Sequence, residues 1–422
     1  MRMLLLILLA VPCFAGGPKY GHESAKLDDE FVNVYHDISY PKIINGKAHK
    51  LNVGQMEAET LNTKNINGTF IGIGRNRIIN GGMVVDQVNE GAAVTVNSNS
   101  TFFSVDQFAG IGTASAGIFT LQQQTSTPPT GFTHYLRATC TTSDGTIASG
   151  TRYFIQNPIE GLNVRDFLFG SASAKIVTLS FWVRSSLTGT YTGAFRNNSV
   201  NRSYPFEYTI NSADTWEKKS ITVSGDATGT WLATTGIGVN VNFALALGSN
   251  AHGTANTWNA ANNTGTSNQV NFMSSSSGRT WDITGVQLEI GSTASEFEHR
   301  LFSVELMLCQ RYYEKTFSAG VAVAQNSGSL LSALFYRIQV TGATSSGVMW
   351  RFATPKRAAP TMTAYNPSAT NATWRNTSDS ADSGTASFNS IGSVGTFVTN
   401  PQVAGDGAGE SCQVHATADA RL

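Results

Sequence analysis

Charge is what this 422-residue chain has least of: Asp, Glu, Lys and Arg make up 13% of it, about half the usual share. Its 28 basic and 28 acidic side chains cancel to a formal net charge of zero. With no long-range field to gather a polyanion, nucleic acid is not an expected partner. Cysteine is scarce too. Cys13, Cys140, Cys309 and Cys412 stand far apart with no CxxC pair, which argues against a disulfide framework and a Cys-built zinc site. The histidines (His22, His36, His49, His134, His252, His299 and His415) form no HxH or HExxH pair, so metal catalysis is not read from them. There is no Gly-x-Ser-x-Gly elbow, Walker loop or dinucleotide fingerprint; Gly72-Ile73-Gly74 lacks the third glycine and the βαβ setting.

Long apolar runs are equally rare. The one that stands out, Met3 to Val11, follows Arg2 and leads into Pro12-Cys13-Phe14-Ala15. It falls short of the ~20 residues that cross a bilayer, so no membrane span is expected, and residues 1–15 read as a secretory leader. Carboxylates spaced as a catalytic pair are scarce as well. Glycoside cleavage needs two of them about 5 to 9 Å apart. Asp282 and Glu289 are too distant along one strand, and Glu296 with Glu298 reads as a salt-linked strand end beside Arg300. No catalytic residues are assigned, and the chain is read as a non-enzyme.

What the chain does have is Gly, Ser, Thr, Asn and an apolar fraction of 41%, enough for real cores. Leu27, Phe31, Val34, Tyr35 and Ile38 share one face of a short helix that Pro41 stops. Isolated apolar residues from Ile43 to Phe70 read as a stalk that buries them only when several copies wrap together. From Arg75 onward the pattern is strand after strand. Val177, Leu179, Phe181 and Val183 alternate with polar or aromatic neighbours, as do Val239, Val241, Phe243 and Leu245. The apolar phase slips by one at Gly285, between Ile283 and Val286, which predicts a β-bulge. Ser303 to Tyr313 reads as a second helix capped by Ser303, with Val304, Leu308 and Tyr312 on one face. Beyond Thr316 the text is β again, and the Ser-, Thr- and Asn-rich stretch 366–389 reads as loop with little core.

Sugars present an apolar ring face and a rim of hydroxyls, so their binders pair a flat aromatic with amides or charged groups. Trp182 lies on the polar face of its strand beside Ser180 and Arg184, Trp258 sits in a polar loop, and Trp374 stands alone in the loop-rich tail. These three are the candidate ligand-binding residues. Trp216 and Trp281 read as core.

The segments Asn76 to Met83, Val177 to Ser186, Trp281 to Gly291, Phe297 to Arg300 and Cys309 to Lys315, in this order, resemble the body domain of tailed-bacteriophage fibre and receptor-binding proteins. Arg357 to Thr363 and Thr417 to Leu422 resemble the C-terminal piece that accompanies it. The resemblance implies an all-β protein with a jelly-roll β-sandwich body, a carbohydrate-binding-module-like domain, and a smaller C-terminal β-sandwich. The expected division is a leader (1–15), an N-terminal attachment helix and fibrous stalk (16–72), the jelly roll (73–302), a connecting helix (303–315) and a C-terminal β domain (316–422). It also implies a virion homotrimer that adheres to host surface polysaccharide and joins tail or baseplate proteins through its N-terminal segment. The alternatives are a secreted carbohydrate-binding adhesin, which the leader would export, and a polysaccharide depolymerase with carboxylates shared between subunits. Such jelly rolls often hold a structural calcium on an acidic residue just after the Asn-Gly strand. Here Met83 is followed by Val84 and Val85 before Asp86, so the sequence supports no cofactor.

Overall fold

Side chains that alternate in the sequence end on opposite faces of a strand, and here the apolar set of each strand meets that of another sheet. The computed structural model describes residues 74–97, 100–114, 116–274, 278–341 and 346–422. The expected leader, attachment helix and stalk lie outside these residues. Residues 73–422 belong to one compact unit.

Strands β1 (Val94–Val96), β2 (Ser100–Phe103), β3 (Ala109–Thr113), β4 (Ile118–Gln124), β5 (Tyr135–Thr142) and β6 (Arg152–Glu160) come first. The one-turn helix α1 (Gly161–Val164) follows. Then come β7 (Val177–Ser185), β8 (Gly189–Arg196), β9 (Ser203–Ile210), β10 (Glu217–Val223), β11 (Ile237–Leu247) and β12 (Thr280–Ile290). They form two six-stranded sheets, ordered β1-β4-β5-β12-β7-β10 and β2-β3-β6-β11-β8-β9. This is the jelly-roll sandwich. Val177, Leu179, Phe181 and Val183 of the first sheet and Val239, Val241, Phe243 and Phe206 of the second are buried between the layers. Phe181 meets Phe243 edge-on across them, with ring centroids 5.1 Å apart. The bulge is where the phase slip put it: the β12–β7 register shifts between Thr284 and Gln287, and Gly285 takes φ +62°. A side chain there would meet Phe132 and Trp182.

The second helix, α2 (Phe302–Gln310), is shorter than predicted and has Leu301, not Ser303, at its cap position without a side-chain cap bond. Its buried face carries Glu305 and Cys309. Glu305 accepts a hydrogen bond from the Asn80 amide at 2.5 Å and an ion pair from Arg300, so long-range partners place the helix where a local cap was expected to.

The rest is the smaller β domain: β13 (Tyr313–Lys315), β14 (Leu334–Arg337), β15 (Ser346–Arg351), β16 (Thr361–Tyr365), β17 (Thr373–Asn376), β18 (Ala381–Thr385), β19 (Ser387–Asn389), β20 (Gly395–Asn400) and β21 (Ser411–Asp419). Strand β21 pairs with β13, β14, β16 and β17, and β15-β20-β19 form a second, three-stranded sheet. The stretch read as loop supplies β17, β18 and β19 instead. Its polar side chains satisfy one another: Asn366 Nδ2 donates to Asn371 Oδ1, Thr373 Oγ1 and Asp382 Oδ1. With its polar groups paired, the segment can pack, and it carries a fully buried tryptophan.

On β21, His415 is fully buried, stacked on Phe317 at 4.1 Å, with Nδ1 at 2.9 Å from Thr316 Oγ1. Burial pushes its imidazole down from 6.5 to about 4. The folded protein therefore takes up this proton less readily than the unfolded chain, and stability falls as pH drops from about 6.5 to about 4. Allowing for screening, the loss is on the order of 2 kcal/mol. Melting temperatures measured from pH 7 to pH 4 should fall less steeply for His415→Phe than for the wild type; equal slopes would refute the assignment.

Candidate functional site

Between Leu247 of β11 and Thr280 of β12 runs a long connection, and its first part folds back onto β8 and β9. The main chain pairs there: Asn259 N donates to Ser203 O at 2.7 Å, Ser203 N to Asn259 O at 3.0 Å, and Asn256 N to Pro205 O at 2.8 Å. The connection also pairs with itself, Gly253 N to Gly265 O at 2.9 Å. Side chains pin it from below. Asn263 Nδ2 donates to His252 O (2.6 Å), Ser203 Oγ to Ala261 O (2.8 Å), and Thr192 Oγ1 to Gln269 Oε1 (2.8 Å). These amides and hydroxyls satisfy much of the irregular backbone that lies against the sheet, while Thr264 Oγ1 is buried without a partner.

The result is an open groove of about 600 Å³ whose lining includes Glu207, His252, Thr254, Asn259, Asn263 and Asn268. That volume lies in the range of small-ligand sites, about 300–1,000 Å³. Glu207 on β9 is its one carboxylate; it accepts from Thr266 Oγ1 at 2.5 Å and from Asn268 Nδ2 at 3.1 Å. His252 Nε2 lies 3.3 Å from Leu247 O. The walls thus offer hydrogen-bond donors and acceptors in a fixed arrangement. They lack the second carboxylate that glycoside hydrolysis uses. Among the described residues no group of three His, Cys, Asp or Glu side chains is placed to hold a metal ion. Asp86 is committed to a turn, accepting from Asn89 N (3.0 Å) and Gly91 N (2.8 Å).

No protein-family model matches the chain, and no curated protein matches it either. Solved structures resemble parts of it. The enzymatically active domain of bacteriophage CBA120 tailspike protein 4 is 12% identical, with 51% of this chain and 22% of that one covered and a TM-score of 0.27. A family 11 carbohydrate-binding module from Clostridium thermocellum, solved with a β-1,3-1,4-mixed-linked tetrasaccharide, is 12% identical over 48% of this chain and 96% of its own, at 0.24. TmCBM61, solved with β-1,4-galactotriose, is 9% identical over 44% and 88%, at 0.23. The chain spans about a fifth of the tailspike's length. Likenesses this weak say nothing about function, and the fold stands on the two sheets themselves.

The three tryptophans singled out from the sequence are not brought together. Trp182 is half-buried on the outer side of the first sheet, paired in register with Lys218 and Thr284. Trp258 belongs to the groove-forming connection but turns away to a cluster of rings, with Tyr204 and Trp231 both 5.2 Å away and its Nε1 on Ser224 O at 2.8 Å. It anchors the connection. Trp374 is a correction: it is fully buried in the C-terminal core, edge-on to Tyr336 at 5.0 Å, with Nε1 bound to Thr399 O at 2.9 Å. Nothing outside can reach it. Trp216 is the converse, a residue read as core that is half-exposed, lying under the Arg184 guanidinium at 4.7 Å. Trp281 is core.

The carboxylates settle similarly. Asp282 is buried between Arg137 and Arg184, each 2.7 Å away. Glu298 pairs with Arg300 at 3.3 Å as expected, but Glu296 reaches out to Lys218. Glu207, His252 and Asn268 were missed. The available signal was the length of the connection between two strongly patterned strands, since an extended irregular segment in a compact domain is often functional.

Proposed function

We propose that this chain is a non-catalytic receptor-binding protein of a tailed-phage fibre, attaching a virion to host surface polysaccharide through the groove of the jelly roll. The observation that carries the reading is the groove itself: open, preformed by main-chain pairing, and walled by amides, hydroxyls and a single carboxylate. A hydroxyl-rich chain sliding into it exchanges bonds to water for bonds to fixed partners, and little ordering is needed on the protein side. The phage assignment rests on the sequence resemblance. Three copies on one shaft would turn weak single sites into firm attachment by raising the effective concentration of the second and third.

The test is binding of purified protein to a panel of host polysaccharides by calorimetry, with Asn268→Ala and the wild type compared. Loss of an amide that both donates to Glu207 and faces the groove should weaken binding about tenfold, with a melting temperature that barely moves. Equal affinity would remove the groove as the site. Release of reducing sugar by the wild type would overturn the non-catalytic reading.

A further inference from the structure

The outer face of the second sheet carries two neighbouring guanidinium groups, Arg152 and Arg196, whose hydrogen-bond partners are all neutral, whereas several other buried arginines meet carboxylates. Arg137 and Arg184 share Asp282, Arg202 binds Asp226, Arg300 meets Glu298 and Glu305, and Arg311 forks onto Glu160. Arg196 on β8 is only 5% exposed, yet it has neutral partners: Nη1 donates to Asn262 Oδ1 at 2.9 Å and Nη2 to Asn242 Oδ1 at 3.0 Å. Its Nε is buried without a hydrogen-bond partner, and its guanidinium lies 5.2 Å from the centre of the Phe154 ring. Arg152 on β6 also reaches only carbonyl oxygens, Asn262 O at 3.2 Å and Asn250 O at 3.5 Å. Among the described residues no carboxylate forms an ion pair with either one.

Two like charges held near one another away from water are destabilising unless something compensates. Burial and the neighbouring Arg152 push Arg196 down to about 10, so Arg196 stays cationic at neutral pH. A second orphan lies alongside. Asn240, the cross-strand partner of Arg196 in the β11–β8 ladder, gives its Nδ2 to Gln156 Oε1 at 2.9 Å and leaves a buried Oδ1 without a donor. Cationic N–H groups and an acceptor without a donor thus lie buried together beside the Asn262 turn. Asn262 is the residue both arginines hold, and its chain neighbours Ala261 and Asn263 line the groove.

Resting on the glycan-binding reading of that groove, we infer that the Arg152–Arg196 pair is a subsite for the carboxylate of an acidic, hydroxyl-bearing sugar such as a hexuronic acid. The carboxylate replaces the two neutral Asn262 oxygens at the guanidinium groups with stronger, charge-assisted bonds, and the Asn262 turn gives way to admit it. A neighbouring hydroxyl donates to Asn240 Oδ1. Phosphate would satisfy the cations but supplies no such O–H array.

The experiment titrates the full chain with trigalacturonate, with galactotriose and with inorganic phosphate, using the wild type, Arg152→Gln and Arg152→Lys. The wild type should bind the acidic trisaccharide at least tenfold more tightly than the neutral one, with a preference that shrinks as salt rises. Arg152→Gln should abolish the preference for the acidic trisaccharide over the neutral one, and Arg152→Lys should restore part of it. Arg152 is the half-buried member of the pair, so its replacement is the milder perturbation, and a melting curve checks that the variants are folded. Equal affinity for the two trisaccharides, or a preference that survives Arg152→Gln, overturns the inference and leaves the groove reading standing. No binding of either sugar overturns both. Phosphate competing as well as trigalacturonate would overturn the sugar-acid assignment.

Discussion

Trp374→Ala should lower the melting temperature of the compact unit formed by residues 73–422 by roughly 10 °C. Removing a fully buried tryptophan from a packed core costs about 3–5 kcal/mol, and each kcal/mol moves the midpoint of a folded unit of this order by about 2–4 °C. Two terms add up here. The edge-on contact with Tyr336 is lost, and Thr399 O is left without the indole donor. Glycan binding should be unchanged in the cold, because the groove is built from residues of β9 and the β11–β12 connection. Scanning calorimetry beside a binding titration reads both. A variant that melts normally but no longer binds would return Trp374 to the surface role that its isolated position in the sequence suggests.

Gly265→Ala should do the opposite, abolishing groove binding by tenfold or more while the core melts within a few degrees of the wild type. Gly265 closes the bridge to His252, and a Cβ there would run into the Thr192 hydroxyl and Leu247. Thr192 is locked by Gln269 and belongs to the sheet, so it cannot step aside, and the connection must lift instead. Lifting it separates the Thr266 and Asn268 contacts on Glu207 from the Asn263 contact on His252, which together shape the walls. Calorimetric titration with a binding polysaccharide, together with a melting curve, decides the matter; retained affinity would mean that the walls do not need this close approach.

These two positions show how unevenly the molecule could be read in advance. The strands β7 and β11 were legible because their apolar residues recur every second position and end fully buried. The bulge at Gly285 was legible for the same reason, as a slip in phase that the ladder reproduces. Helix α2 was legible as a helix but not in its start, because Glu305 is held by Asn80 and Arg300 from elsewhere in the chain and no local cap is used. Trp374 was misread because a run of Ser, Thr, Asn and Asp looks like solvated loop, while Asn366, Asn371 and Asp382 in fact spend their polar groups on one another. The groove left no local pattern at all. Glu207 and Asn268 share it only because a strand and a distant connection are folded together.

Alternation and phase are properties of near neighbours, so the sequence by itself determined the all-β class, the principal strands of the jelly roll and the bulge in β12. Which tryptophan is hidden, which carboxylate is left facing a groove and which arginines lack an acidic partner were decided only in the tertiary structure. Burial and ion pairing depend on what arrives from far along the chain, and a segment's own composition cannot say whether its polar groups will meet water or each other.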